Sequence, residues 1–354
     1  MELNKLLQKS IFVNRSMGIV GLALDRMGKF ASAIKVVRQM EKLAGDTDPY
    51  SRGYALNSIG YFSWHSGNWR RSESTLQECL RFWRSLENPV GECYPLGHLG
   101  LLFCVTGRRD LAEQMLTNGR RLSEISGNRE MVAKTVQNLS RFEVEYGDAT
   151  TALQLARESL EVCVALKHPY FGADSLRLIA EASVATGDFA GARQAIADGV
   201  EMLSSASATY LDLRLRVTGA NIDICLAEAE GDLPSTALKE QVAALAVTAR
   251  ARSFPNLVAE AELGRLRLLS TEQSSRAMEV FESGVQAAFA YNWYCGMSFL
   301  ERARAILRPD CVELAKASYG EERLRELHRS RYTLRTEPGI DYQRIQTYLA
   351  GMPH

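Results

Sequence analysis

The sequence predicts an all-α chain folded as a solenoid of antiparallel helix pairs. Three observations carry that expectation: glycines recur with a period near 40 residues, small and aliphatic residues recur at fixed offsets from them, and apolar residues repeat at three- and four-residue spacing on both sides. The glycines are Gly28, Gly67, Gly107, Gly147 and Gly187, separated by 39, 40, 40 and 40 residues, with Gly231 following after 44.

Each position of the unit has a physical reason. Seven residues before the glycine stand Gly21, Gly60, Gly100, Ser140 and Ala180, and five after it Ala33, Ser72, Ala112, Ala152 and Ala192. All are small, which marks where two helices approach closely. Eight before it stand Val20, Ile59, Leu99, Leu139 and Ile179, and nine after it Val37, Leu76, Leu116, Ala156 and Ile196, which supply the apolar faces. Twelve after it come Met40, Cys79, Gly119, Ser159 and Gly199, small in four of the five units, so the second helix also packs closely. The glycine is expected to close the first helix in a left-handed conformation that other residues resist. "GDTDPY", "ENPVG", "SGNRE" and "KHPYFG" separate the units and read as turn and N-cap chemistry. Alternation of the kind that marks strands is absent.

The array is expected over residues 1–291 as about seven helix pairs, with residues 292–354 as C-terminal capping helices. "WYCGMSFLERARAIL", "EERLRELHRSRY" and "DYQRIQTYLAG" would cover its open apolar end. Two units depart from the pattern. Around Gly231, Asp223 and Ile224 stand where an aliphatic and a small residue are expected, which predicts a shifted register; the next unit recovers Leu263 and Gly264 but carries Thr271 at the turn.

Composition excludes several classes of partner. Lysine plus arginine equals aspartate plus glutamate at 42 each, and the signs are mixed along the chain, so there is no electrostatic footprint for nucleic acid or an anionic membrane. Seven scattered cysteines without a CxxC argue against a disulfide framework or a zinc ribbon and fit a reducing, cytoplasmic setting. No apolar run approaches the roughly 18 to 20 residues of a membrane span, and the N-terminus lacks the apolar core of a signal peptide.

Motifs for chemistry are equally sparse: GxxxxGK[ST], HExxH, GxSxG and the EF-hand loop are absent. "ECYPLGHLGLLFC" brings Cys93, His98 and Cys104 close in sequence. On one helix, however, an offset of five turns side chains about 140° apart, so these are expected to play structural roles and not to share a metal. Cys79 is expected in the core, His65 as a charge partner for the end of its helix, and the arginines of "GRR" (Arg108, Arg109) in solvent. No catalytic residue, metal or cofactor is expected.

The offsets resemble those of the tetratricopeptide repeat, most closely in "YGDATTALQLARESLEV", "TGDFAGARQAIADGVEM" and "TGRRDLAEQMLTNGRRL". The longer period is similar to the extended repeats in sensor regions of bacterial signal-transduction ATPases and their transcription regulators. The resemblance implies a right-handed superhelix whose concave face is lined by first-helix residues thirteen, ten, six and three positions before the turn glycine. Counting back gives Arg15, Gly18, Leu22 and Asp25, then Tyr54, Asn57, Tyr61 and Trp64, then Tyr94, Gly97, Leu101 and Cys104. Lys134, Gln137, Arg141 and Val144 follow, and then Asp174, Arg177, Glu181 and Val184.

The candidate binding residues are Tyr54, Asn57, Tyr61, Trp64, Tyr94, Lys134, Gln137, Arg141 and Arg177. An aromatic wall beside cations suits an extended peptide with apolar anchors and an acidic end, or an aromatic or sugar-like effector. The alternative is that these rings pack against neighbouring helices. The lysine and asparagine clamp of chaperone-binding repeats is not matched. The expected function is a non-catalytic interaction or sensor scaffold with a protein, peptide or small-molecule partner, and no direct contact with nucleic acid or membrane. The alternatives are the ligand-sensing part of a multidomain ATPase or transcription regulator, and an enzyme on a helical-repeat scaffold.

Overall fold

A computed structural model of the chain describes residues 2–45, 48–204, 206, 208–269 and 274–307. Among these residues there are fifteen helices and no strand. They are α1 (Glu2–Arg26), α2 (Phe30–Ala44), α3 (Pro49–His65), α4 (Trp69–Ser85), α5 (Pro89–Val105), α6 (Arg109–Ser126), α7 (Arg129–Tyr146) and α8 (Ala149–Ala165). There follow α9 (Pro169–Ala185), α10 (Phe189–Met202), α11 (Thr209–Glu230), α12 (Thr236–Ala251), α13 (Pro255–Leu268), α14 (Ser274–Tyr291) and α15 (Trp293–Ile306). Consecutive helices pair as the repeat requires, α1 with α2, α3 with α4, α5 with α6, α7 with α8, α9 with α10 and α13 with α14. The capping segments expected after residue 307, together with Cys311, His328 and His354, lie outside the described residues, as does Thr271.

Local chemistry explains the boundaries. Asp48, Asn88 and Asn128 each accept a backbone N–H three residues on, at 3.1, 3.0 and 3.1 Å, and so start α3, α5 and α7 forty residues apart. Each such cap contributes about 1 kcal/mol. Pro49, Pro89 and Pro169 open their helices where a missing N–H is harmless. Gly28, Gly67, Gly107, Gly187 and Gly231 all end first helices with φ between 71° and 81°.

Gly147 does not follow this expectation, for its φ is −118°. Glu143 explains the difference: its carboxylate occupies the space a Cβ would take and accepts the Asp148 N–H at 3.1 Å, so this helix ends by a side-chain cap.

At the ends of second helices, the left-handed position is held by Gly127 in one unit but by Glu87, Lys167 and Ser253 in others, at φ of 50°, 54° and 59°. A non-glycine residue there loses roughly 1–2 kcal/mol. Lys167 is exposed, so Lys167→Gly is expected to raise stability by about 0.5–1 kcal/mol once glycine's own entropy is counted. A urea midpoint that falls instead would mean Lys167 holds a contact that offsets its strain.

The small-residue positions do what the spacing predicts. A Cβ on Gly21, Gly60 or Gly100 would come within 2.9 Å of Val37, Leu76 or Leu116, so the aliphatic of each second helix lies directly on the glycine of the first. Ser140 fills the same place in the fourth pair and donates its hydroxyl to the Ala152 carbonyl at 2.8 Å. Cys79 is fully buried, with its thiol donating to the Gly53 carbonyl at 3.4 Å. Arg108 departs from expectation: it is not simply solvated but forks onto Glu73, with both bonds at 2.8 Å, and lies 4.2 Å from the centre of the Phe103 ring.

The chain divides into two compact units after Ile222, inside α11 and beside the register break at Asp223 and Ile224. At 22 residues α11 is longer than the 17-residue α3, α5 and α9, and its close-packing residue is Gly219, which faces Ile196. In the second unit Leu263, Leu266, Val280, Phe281, Val285, Phe289 and Phe299 form the core. Glu262 is buried there, accepting Arg250, Arg265 and Ser283 at 3.0, 2.7 and 2.7 Å. Among the described residues no helix is long and apolar enough to cross a membrane.

Candidate functional site

The first helices of the first six pairs turn one face toward a shared interior. That face encloses a cavity of about 340 Å³ within the first unit. The interior narrows because the early and late helices of the first unit meet: Phe30 lies edge-on to Tyr210 at 5.6 Å, His65 lies 5.8 Å from Tyr210, and the Arg26 guanidinium stands 5.2 Å from the centre of the Tyr170 ring. What the repeat pattern presents as an open groove is therefore a chamber.

Tyr54, Asn57, Tyr61, Trp64, Tyr94, Lys134, Gln137 and Arg141 all line it. Tyr61 stacks on His98 with ring centres 4.6 Å apart and an angle of 24°, and also lies 4.3 Å from His65 and 6.2 Å from Trp64. It belongs to the wall and to the core at once, since it packs on the cluster of Ala33, Val37, Ile59 and Phe62. Lys134 extends over Phe171 at 4.5 Å while pairing with Glu130 at 2.7 Å. Gln137 is committed to the scaffold, for its Nε2 donates to the Phe171 carbonyl and to Ser175 Oγ, both at 2.9 Å.

Arg177 is placed differently. It is 1% exposed and absent from the cavity wall, with Nε on Asp174 at 2.8 Å and Nη1 on Glu181 at 2.5 Å. Its acidic neighbours three residues before and four after draw the guanidinium back along α9. Arg141 reaches the other oxygen of Asp174 at 2.8 Å. These two arginines hold the Asp174 carboxyl well below the ordinary carboxylate range, against the opposing effect of burial.

Several cavity residues lie outside the nine candidates. Asp25 and Asp174 sit at counted register positions, but Arg26, His65 and His98 fall one residue later, on the neighbouring helical stripe. A closed chamber exposes more than one stripe per helix, which an open groove would not. Tyr210 and Arg214 were hidden by the broken register of α11. His65 serves a specific acid: Nδ1 lies 2.8 Å from Asp25 Oδ1.

Burial lowers the His98 pKa to about 3, and its Nδ1 lies 3.0 Å from Asn57 Oδ1, so the neutral ring donates there. Burial raises the Cys93 thiol to about 11 and the Cys104 thiol to about 12. Cys93 donates to the Pro89 carbonyl at 3.3 Å and does not join His98 and Cys104 in a common site.

The shift at His98 fixes a pH dependence. A base whose folded pKa lies below its unfolded value of about 6.5 contributes stability in full above that pH and loses it as the pH falls toward 3. Stability is expected to decline across that window by up to about 1.4 kcal/mol per pH unit, and His98→Gln should flatten the decline. Urea titrations at pH 7, 6, 5 and 4 measure both slopes; identical slopes would remove His98 as the cause.

Comparison with known proteins identifies the architecture. A Rap protein complexed with competence and sporulation factor matches 97% of this chain and 100% of its own at 11% identity, with a TM-score of 0.61. A Rap conjugation gene regulator in complex with the Phr* peptide matches 82% of this chain and 75% of its own at 16% identity, with a TM-score of 0.59. The fold is a tetratricopeptide-like helical solenoid. A signal-transduction ATPase with a tetratricopeptide-repeat sensor from Pyrococcus horikoshii adds a match over 98% of this chain and 53% of that one, at 14% identity and a TM-score of 0.54. At these identities the likeness is one of fold. Regulatory protein AfsR of Streptomyces griseus is 27% identical over 134 residues, which are 38% of this chain and 14% of that protein. No family model matches the chain.

Proposed function

We propose that the first unit is a sensor scaffold that holds a short peptide or small effector inside its superhelix and performs no chemistry of its own. The observation that carries this reading is the convergence of Tyr54, Asn57, Tyr61, Trp64, Tyr94, Lys134, Gln137 and Arg141 on one chamber. A concave site of a few hundred Å³ with apolar walls and a few fixed polar groups is the usual form of a ligand site. The similar Rap proteins carry bound peptide factors, and NprR, similar at a TM-score of 0.55 and 13% identity over 90% of this chain and 85% of its own, was solved with its cognate peptide NprX. These likenesses support a peptide as occupant.

The test is Trp64→Ala. Trp64 is partly exposed to the chamber, so its loss should leave the unliganded melting temperature nearly unchanged. It should weaken the ligand found by thermal-shift screening of metabolites and short peptides by on the order of 2 kcal/mol, about 30-fold. Undiminished binding to the variant would place the ligand elsewhere, and turnover of a bound metabolite would favour an enzyme. A second reading, that the chain is the sensor of a larger regulator, draws on the partial match to AfsR and to the sensor-bearing ATPase.

A further inference from the structure

Beside the chamber lies a second space of about 580 Å³, walled by apolar groups of Ile19, Met40, Trp83 and Val90. Ile19 is 70% exposed at its rim, an apolar side chain facing water. Tyr54, Asn57 and Tyr94 line both spaces, so the two are neighbouring compartments with shared walls.

Their chemistry is opposite. On the inner wall Arg141 and Arg214 stand about Asp174, with Arg177 behind it, and Arg177 also holds Glu181. Three guanidiniums thus face two carboxylates. Arg141 Nε and Arg177 Nη2 are buried without a hydrogen-bond partner, and among the described residues Arg214 has no carboxylate partner. Unpaired guanidinium N–H groups in a desolvated site are costly, and an anion relieves them. The other acids of the chamber are engaged, Asp25 with His65 and Glu130 with Lys134.

We infer that chamber and cleft form one site for a ligand with a carboxylate head and an apolar tail, the head at Arg141 and Arg214 and the tail leaving past Tyr54 and Tyr94. This rests on reading the chamber as a binding site and specifies what it binds. The head-and-tail chemistry is shared by a medium-chain fatty acid and by the C-terminus of a short apolar peptide. In either case the carboxylate supplies the missing charge and the tail covers the exposed apolar wall.

Calorimetric titration with decanoate and decanamide, and with an apolar tetrapeptide as free acid and as C-terminal amide, tests this on the full chain. At least one acid is expected to bind ten-fold or more tightly than its amide, and the acid that binds identifies the source. Arg214→Gln should abolish that preference with little change in melting temperature, because among the described residues Arg214 makes no salt bridge. Val90→Glu should weaken decanoate but not butyrate. Equal binding of acid and amide, or a preference that survives Arg214→Gln, overturns the inference. If none of these probes binds while another ligand still depends on Trp64, the carboxylate site is wrong and the sensor reading stands; if no ligand depends on Trp64, both fall.

Discussion

Arg177→Met is expected to lower the stability of the first unit by about 3–5 kcal/mol, the range found when one member of a buried ion network is removed. The wild-type side chain is 1% exposed and satisfies Asp174 through Nε and Glu181 through Nη1. Methionine fills similar volume but leaves Asp174 to Arg141 and takes from Glu181 its bond to α9's guanidinium. Arg177→Lys should recover only part of the loss, because an ammonium lacks the planar fork that bonds two carboxylates at once. The sign of the pH effect follows from the lowered Asp174 pKa: its contribution is complete above the ordinary carboxylate pKa and is lost as the pH falls below it. With Arg177 removed, the folded-state pKa of Asp174 moves back toward its unfolded value, so that acid loss should shrink. Urea unfolding followed by helical circular dichroism at pH 7 and at about pH 2.5 reads both effects, and a midpoint equal to wild type at pH 7 would mean the network is solvated.

Arg177 also shows where sequence reasoning reaches its limit. The helical register correctly put Asp174, Arg177 and Glu181 on one stripe of α9, but a stripe does not say whether a long side chain leans inward or folds along its own helix. Tyr54, Tyr94 and Lys134, from the same register on their own helices, line the chamber. The repeat itself was legible because its constraints are steric and local: a glycine under Leu76 or Leu116, a left-handed turn at Gly67 or Gly107, a cap at Asn88 or Asn128. The closure of the chamber was not legible. It depends on Phe30 and His65 meeting Tyr210, residues about 145 to 180 positions apart whose approach accumulates from small rotations at every pair. His98 and Arg26 were missed for the same reason, for they become interior residues only once the superhelix closes.

Trp83→Ala is the second change expected to cost about 3–5 kcal/mol, the range for removing a large buried aromatic. The indole is 4% exposed and is held between two glycines of successive first helices: a Cβ on Gly53 would lie 2.2 Å from one edge of the ring, and one on Gly91 2.3 Å from another. Either glycine changed to alanine forces the ring toward the other glycine's helix, so Gly53→Ala and Gly91→Ala should each lose about 1–3 kcal/mol by overpacking. The decisive measurement is the double variant. If the ring is what the glycines accommodate, Gly91→Ala added to Trp83→Leu should cost far less than Gly91→Ala alone, a coupling of about 1 kcal/mol or more; additive losses would assign the glycine to backbone conformation instead. The consequence extends to the ligand, because Gly53 and Gly91 lie on the helices that carry Tyr54 and Tyr94. The indole sets the spacing of α3 and α5, whose Tyr54 and Tyr94 stand between chamber and cleft, so Trp83→Leu should alter affinity for a long-tailed ligand more than for a short one.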